Sequence, residues 1–212
     1  MITVATLRAG NKYGAEYVMK LKRSVERHLS LPHRFVCLTD DPAAVDCETL
    51  PIPMKLPGWW GKLALFSDLI EGRILFIDLD TVLVGNIDDF TRYGGELAII
   101  RPFYRNRGFA SGVMNIGPGA HPHVWERFSA NPLRAVEYCR QNAVPEWNFG
   151  DQRWLELQVD KADYWQDITP GQLVSYKVHC RDGIPDNARI VCFHGKPDPH
   201  ELDEPWLREN WV

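Results

Sequence analysis

The sequence has no run near the ~18 apolar residues that a membrane-spanning helix requires. Its first residues, Met1 to Arg8, show neither a basic stretch ahead of a long apolar one nor a small-residue cleavage site. Both absences predict a cytoplasmic protein with no transmembrane segment. Cationic surplus is missing too: 24 Lys and Arg stand against 28 Asp and Glu, a net charge of −4, and no basic run interleaves with aromatics. That excludes a broad nucleic-acid footprint while leaving room for a local phosphate site. The five cysteines (Cys37, Cys47, Cys139, Cys180, Cys192) are odd in number and have no CxxC spacing, which predicts reduced, mostly buried thiols rather than disulfides or a zinc site. There is no internal repeat, low-complexity tract or interdomain linker.

What is present is an ordinary globular composition, 45% apolar and 25% charged over 212 residues, enough for one sizeable core. The expectation is a single α/β domain over residues 1–212. Ile2 to Leu7 reads as a buried strand, Tyr13 to Leu29 has helical spacing, and Phe35 to Thr39 reads as the next strand. This βαβ opening predicts a largely parallel sheet covered on both faces, with its ligand crevice beyond the strands' carboxyl ends. A short strand near Thr49 to Ile52 leads through Pro53 and Pro57 to Gly58-Trp59-Trp60-Gly61, which should open a helix over Lys62 to Ile70. Ile74 to Val84 is the most apolar stretch and predicts one buried central strand. Further strands are expected at Leu97 to Ile100, Gly112 to Ile116, Val174 to His179 and Arg189 to Phe193. Helices are expected near Pro122 to Phe128, Leu133 to Gln141 and Asp151 to Gln158.

Two carboxylates interrupt that central strand, Asp78 and Asp80. Burying them is costly unless a cation or strong donors compensate. Residues i and i+2 of a strand share a face, so the pair can converge on one point. A hard divalent ion with oxygen ligands, Mn²⁺ or Mg²⁺, suits such a pair, as does a simple turn cap or an ion pair with a nearby Lys or Arg. The second element is Val191-Cys192-Phe193-His194-Gly195-Lys196-Pro197, a strand ending at an imidazole, a glycine that permits close backbone approach and a lysine that can meet a phosphate. A turn closed by Gly and Pro fits the same residues.

Together these segments resemble the retaining GT-A glycosyltransferases of family 8, which include glycogenin and bacterial lipopolysaccharide galactosyltransferases. Phe76 to Thr81 looks like the family's Asp-x-Asp segment. His194 to Pro197 is similar to, though shorter than, its late His-x-x-Gly-x-x-Lys-Pro segment. Ser111-Gly112-Val113-Met114-Asn115 looks like its donor-side strand, and Gly150-Asp151-Gln152 like its Asp-Gln pair. The resemblance implies a GT-A fold, a mostly parallel mixed sheet flanked by helices, and transfer of a sugar from a nucleoside-diphosphate sugar, with UDP the expected carrier. It implies Asp78, Asp80 and His194 as metal ligands. It implies donor contacts from Thr6, Leu7, Tyr13, Lys62, Leu79, Ser111, Gly112, Asn115, Gly195 and Lys196. Asp151, Gln152 and Lys196 are implied to act on the donor sugar and its leaving diphosphate, with retention of configuration. The acceptor, a glycan, lipid-linked sugar, protein or small molecule, is not legible, although Tyr104, Arg105, Asn106 and Arg107 are candidates for its side of the site.

Two rival readings stay open at this level. One is a nucleotide-sugar-binding protein without turnover. The other is a haloacid-dehalogenase-like phosphatase, whose Asp-x-Asp lies much closer to the chain start than Asp78 does.

Overall fold

The structure, a computed structural model, describes residues 1–53, 58–145 and 147–212. Ten strands run in order: β1 (Ile2–Arg8), β2 (His33–Thr39), β3 (Glu48–Pro51), β4 (Ile74–Ile77), β5 (Thr81–Leu83), β6 (Leu97–Ile100), β7 (Ala110–Ile116), β8 (Asp163–Tyr164), β9 (Leu173–Ser175) and β10 (Ile190–Cys192). The helices are α1 (Ala15–His28), α2 (Asp88–Arg92), α3 (His123–Ala130), α4 (Pro132–Gln141), α5 (Asp151–Gln158), α6 (Trp165–Ile168), α7 (Tyr176–His179) and α8 (Pro205–Asn210). Seven strands form the main sheet in the order β3-β2-β1-β4-β7-β6-β8. All neighbours pair in parallel except β7, which is antiparallel to β4 and β6. A smaller sheet has the order β5-β10-β9.

Period-two alternation assigns the strands' side chains to two cores, as a sheet covered on both faces requires. Ala5, Leu7, Ile74, Phe76, Met114 and Ile116 pack on one face with Leu63, Phe66, Phe128 and Leu155. Ile2, Val4, Leu75, Ile77 and Val113 face the other way, onto Val18, Leu21 and Val25 of α1. A third cluster gathers Val82, Val174, Val191, Phe193 and Leu207, with Trp206 and Trp211 packed against it. All five cysteines are free thiols, four of them buried.

Three expected elements differ. Ile74 to Val84 is two strands in two sheets, not one. Asp78 N donates to Gly112 O (2.8 Å) at the last rung of the main sheet, Thr81 N donates to Asp78 O (3.2 Å) to close a turn, and Phe193 N donates to Asp80 O (3.1 Å) where the small sheet begins. A straight continuation would carry both carboxylates between two apolar layers, and the turn removes them. Lys62 to Ile70 is not an α-helix: a 3-10 segment covers Gly58–Phe66, with every residue from Trp60 to Phe66 buried, so it lacks a polar face. Val174 to His179 splits into β9 and α7, because the Ser175 hydroxyl accepts from Val178 N (3.3 Å) and caps a helical turn. Pro57 lies outside the described residues.

Asp88 shows how the connections are held. Its carboxylate accepts from Ser30 N (2.9 Å) and Ser30 Oγ (2.5 Å), tying the start of α2 to the end of α1. Burial works to raise its pKa, but the Ser30 bonds, Asn86 and Arg92 outweigh burial and hold it below the usual range. A group depressed on folding contributes stability that is present above its unfolded pKa and lost as pH falls through the folded one. Asp88→Asn should therefore cost about 1–3 kcal/mol at neutral pH. In urea titrations its deficit should shrink as pH drops below about 4.

Candidate functional site

The cleft lies where the parallel strands end. Its volume is about 470 Å³, and it is lined from β1 by Leu7, from the β4–β5 turn by Asp78 and Asp80, from β7 by Gly112 and from the segment after β10 by His194 and Gly195. Lys12, Tyr13, Lys62, Thr81, Asp151 and Gln152 add to its polar lining. A crevice beyond the carboxyl ends, beside strand β1 whose neighbours β2 and β4 diverge to either side, is the expected ligand position in an open α/β sheet.

A hydrogen-bonded chain organises one wall. Lys62, only 7% exposed, places Nζ 2.7 Å from Asp78 Oδ2 and 3.4 Å from Ser111 Oγ, and the Ser111 hydroxyl donates to Asp151 Oδ2 at 2.5 Å. The otherwise apolar 3-10 segment presents its lysine inward, where the Asp78 and Asp151 carboxylates lie. Burial alone would lower the Lys62 pKa, but the Asp78 and Asp151 carboxylates overcome it and raise it. Asp78 is pushed up to about 7 by burial, against the pull of Lys62 and with the charge of Asp80 adding to the rise.

Asp80 occupies the other side of the turn. It accepts from the Tyr13 hydroxyl (3.0 Å), which also reaches Asp198 Oδ1 at 3.4 Å. Burial raises the Asp80 pKa, opposed by Lys12 and Tyr13. Asp78, Asp80 and Asp151 thus share two ammonium groups, Lys62 and Lys12. Surplus negative charge among oxygen donors fits a hard divalent cation. The imidazole of the expected ligand trio is engaged elsewhere: His194 Nε2 is 2.6 Å from Ser175 Oγ, and its ring stacks on Phe103 at 5.6 Å. Among the described residues no three His, Cys, Asp or Glu side chains converge as a metal site. Burial and the nearby Lys177 charge lower the His194 pKa, leaving the ring neutral at pH 7.

Other expected donor contacts, Gly195 excepted, sit apart from the cleft. The Thr6 hydroxyl is buried and donates to Ile77 O (2.8 Å), stitching β1 to β4. Leu79 points its side chain into the core beside Leu75 and Ile77. Asn115 is buried farther along β7, held by Arg73 (2.7 Å) and donating to Phe90 O (2.8 Å), so its role is structural. Ser111 is fully buried and acts through Lys62 and Asp151. Lys196 turns its ammonium to Asp198 Oδ2 (2.8 Å) and Glu201 Oε1 (2.7 Å), which raise its pKa, and it does not line the cleft. Gly195 has φ +67°, a left-handed backbone that explains the glycine.

Several lining residues carry no motif. Of the paired tryptophans, Trp60 is buried and stacks on Phe128 (5.3 Å), whereas Trp59 is 46% exposed in the cleft. A Cβ on Gly150 would meet the Trp59 indole at 2.9 Å, so this glycine lets the ring pack on the start of α5 beside Asp151. Phe103, Tyr104, Arg105 and Trp147 line the rim. Arg105 is paired with Glu156 (2.9 Å). Ser175, which holds His194, is placed by the parallel register of β9 on β10, where it faces Cys192. No sequence pattern announces that pairing.

Replacing Lys62 by Met should leave Asp78 without its cation. The expected loss is about 2–3 kcal/mol, less than for a fully buried pair because one side of Asp78 faces the cleft. The double variant Lys62→Met/Asp78→Asn should recover most of it in chemical denaturation.

No protein-family profile matches the chain, and no curated protein is similar to it in sequence. Solved structures are similar in fold. The glycosyltransferase GlyE of Streptococcus pneumoniae superposes with a TM-score of 0.63 at 15% identity, over 95% of this chain and 56% of that one. The galactosyltransferase LgtC, in complex with donor and acceptor sugar analogues, gives 0.62 at 12%, over 93% of this chain and 88% of that one. The bifunctional glycosyltransferase WbbM gives 0.61 at 12%, over 98% and 50%. The chain thus spans about half the length of GlyE and of WbbM. At these identities the likeness is one of architecture: the chain has the GT-A-like α/β fold of these glycosyltransferases, with a mostly parallel mixed sheet flanked by helices.

Proposed function

We propose that this chain is a glycosyltransferase that moves a sugar from a nucleoside-diphosphate sugar, with uracil the expected base, to an acceptor hydroxyl. The observation that carries the reading is the chain Asp78–Lys62–Ser111–Asp151 along one wall of a cleft at the ends of parallel strands, in a fold shared with glycosyltransferases. Asp78, Asp80 and His194 are the residues that would hold Mn²⁺ or Mg²⁺, and the imidazole must exchange its bond to Ser175 to do so. When bound, such an ion offsets the negative charge that grows on the leaving nucleoside diphosphate.

The protein's own groups do the positioning. Lys62 holds the Asp78 carboxylate, and Tyr13 holds that of Asp80, so neither must be ordered when the donor arrives. Asp151 is fixed through one oxygen by Ser111, while its other oxygen has no partner among the described residues and is available to a sugar hydroxyl. Gln152 follows at the cleft surface. An amide is a poor nucleophile, so retention is assigned to same-face attack through an oxocarbenium-like state, the leaving phosphate taking the acceptor's proton. Trp59 and Trp147 also line the cleft.

Calorimetric titration of UDP tests the donor site. Binding should require Mn²⁺ or Mg²⁺, and Asp80→Ala and His194→Ala should each weaken it by about tenfold or more. Metal-independent binding, or none, would overturn the reading. Asp151→Asn should keep UDP affinity while sharply lowering sugar transfer and donor hydrolysis. A carboxylate whose pKa is raised on folding lowers stability above its unfolded pKa. Asp80→Asn should therefore raise the thermal midpoint in metal-free buffer at pH 7 and abolish the upward shift caused by metal and UDP.

A further inference from the structure

A nucleoside diphosphate brings its negative charge into a cleft whose own carboxylates outnumber their cations. Besides any metal, it needs an ammonium or guanidinium that is not already committed. Lys62 is bound to Asp78 and Arg105 to Glu156, while Lys12, which also lines the cleft, offsets Asp80 and lies over the Tyr13 ring at 4.4 Å. Lys196 holds both Asp198 and Glu201. Asp198 is 6% exposed and caps the 3-10 turn Pro199–Glu201, so withdrawing Lys196 would leave that buried carboxylate without its cation.

Lys177 is differently placed. Its ammonium has no hydrogen bond or ion pair among the described residues, and a Cβ on Gly195 would lie 3.6 Å from it. Lys177, like Lys196, is not itself a lining residue, but Gly195 and His194 are, and no side chain at 195 stands between the ammonium and the backbone there. The position is built rather than incidental. Parallel pairing of β9 on β10 sets Ser175 opposite Cys192, and α7 begins at once. Tyr176 is locked by stacking on Phe193 (4.6 Å) and by a 2.5 Å bond to Glu204. The next residue is therefore presented from a fixed backbone beside residues 194–195. A lysine serves phosphate as a mobile point charge on a long stem, and a partly buried stem with an uncommitted head suits that use.

We propose that Lys177, rather than Lys196, is the cation that meets the diphosphate of the donor; this rests on the nucleotide-sugar reading above. The test is titration of the full chain, with Mn²⁺, against UDP, uridine and inorganic diphosphate. Lys177→Met should weaken UDP and inorganic diphosphate by about tenfold or more and uridine by less than about twofold. Lys177→Arg should restore most of the loss, and Lys196→Met should change diphosphate affinity by less than about threefold. Lys177 has no partner to strand among the described residues, so Lys177→Met should melt like the parent protein.

Undiminished UDP and diphosphate binding in Lys177→Met, or a loss confined to Lys196→Met, overturns the proposal and leaves the donor reading intact. If inorganic diphosphate binds in a Lys177-dependent way while UDP gains nothing from its base, Lys177 stands and the uracil assignment falls. If the parent protein binds neither ligand, both fall together.

Discussion

The pair between Asp78 and Lys62 is the interaction on which the rest of the site depends. Lys62 sits in a 3-10 segment whose other residues, from Trp60 to Phe66, are apolar or glycine and buried, so its ammonium has nowhere to go but inward. Asp78 meets it at the point where the chain leaves the main sheet. Without the lysine, the carboxylate would face desolvation beside a second acid, and the turn that separates β4 from β5 would carry unopposed charge. With it, the same ammonium reaches Ser111, and through Ser111 the start of α5 is fixed relative to the turn. Three segments distant in sequence are coupled through one nitrogen.

The remaining charge is not balanced, and that imbalance marks the site. Asp80 is half-buried with a phenol and a neighbouring carboxylate for company, and the pKa of the Tyr13 hydroxyl is raised by burial and by Asp80. Cys192, across the same cleft, has its thiol pKa pushed far up by burial and by both aspartates. A fold selected only for stability would not gather acids here. Functional sites retain such local cost because a ligand later offsets it.

The wall that carries His194 is secured from a different direction. Tyr17 contacts His200 (2.5 Å), and Lys20, Arg23 and Arg27 of α1 donate to the carbonyls of Trp211, Val212 and Glu209. The last residues thereby lie along the helix that also covers the main sheet. Tyr13, just before α1, reaches Asp198 in the same segment. The small sheet and the loop after β10 are thus referenced to the first helix, and the cleft between them has walls tied to a common support.

Local pattern was enough to read the βαβ opening, both covered faces of the sheet, the helix Asp151–Gln158 and the placement of Asp78 and Asp80 after a buried strand, because apolar periodicity and the cost of buried charge act on neighbours in the chain. Residue type sufficed to nominate His194, and the family resemblance to nominate Lys62, Asp151 and Gln152, for the cleft they line. Pattern could not tell that Ile74 to Val84 breaks into two sheets, since the break is made by rungs to Gly112 and Phe193, far away in sequence. Nor could it tell Trp59 from Trp60, which differ only in what packs on them, or Thr6 and Asn115 as buried stitches rather than ligand contacts. The lysines show the limit most clearly. Lys196 follows the expected histidine and glycine, yet its ammonium is taken by Asp198 and Glu201, while Lys177 comes to Gly195 through strand register. Sequence determines which groups are available and which cannot be buried alone. Only the tertiary structure decides which charges are already paired, because pairing is settled by distances between segments that the chain order does not contain.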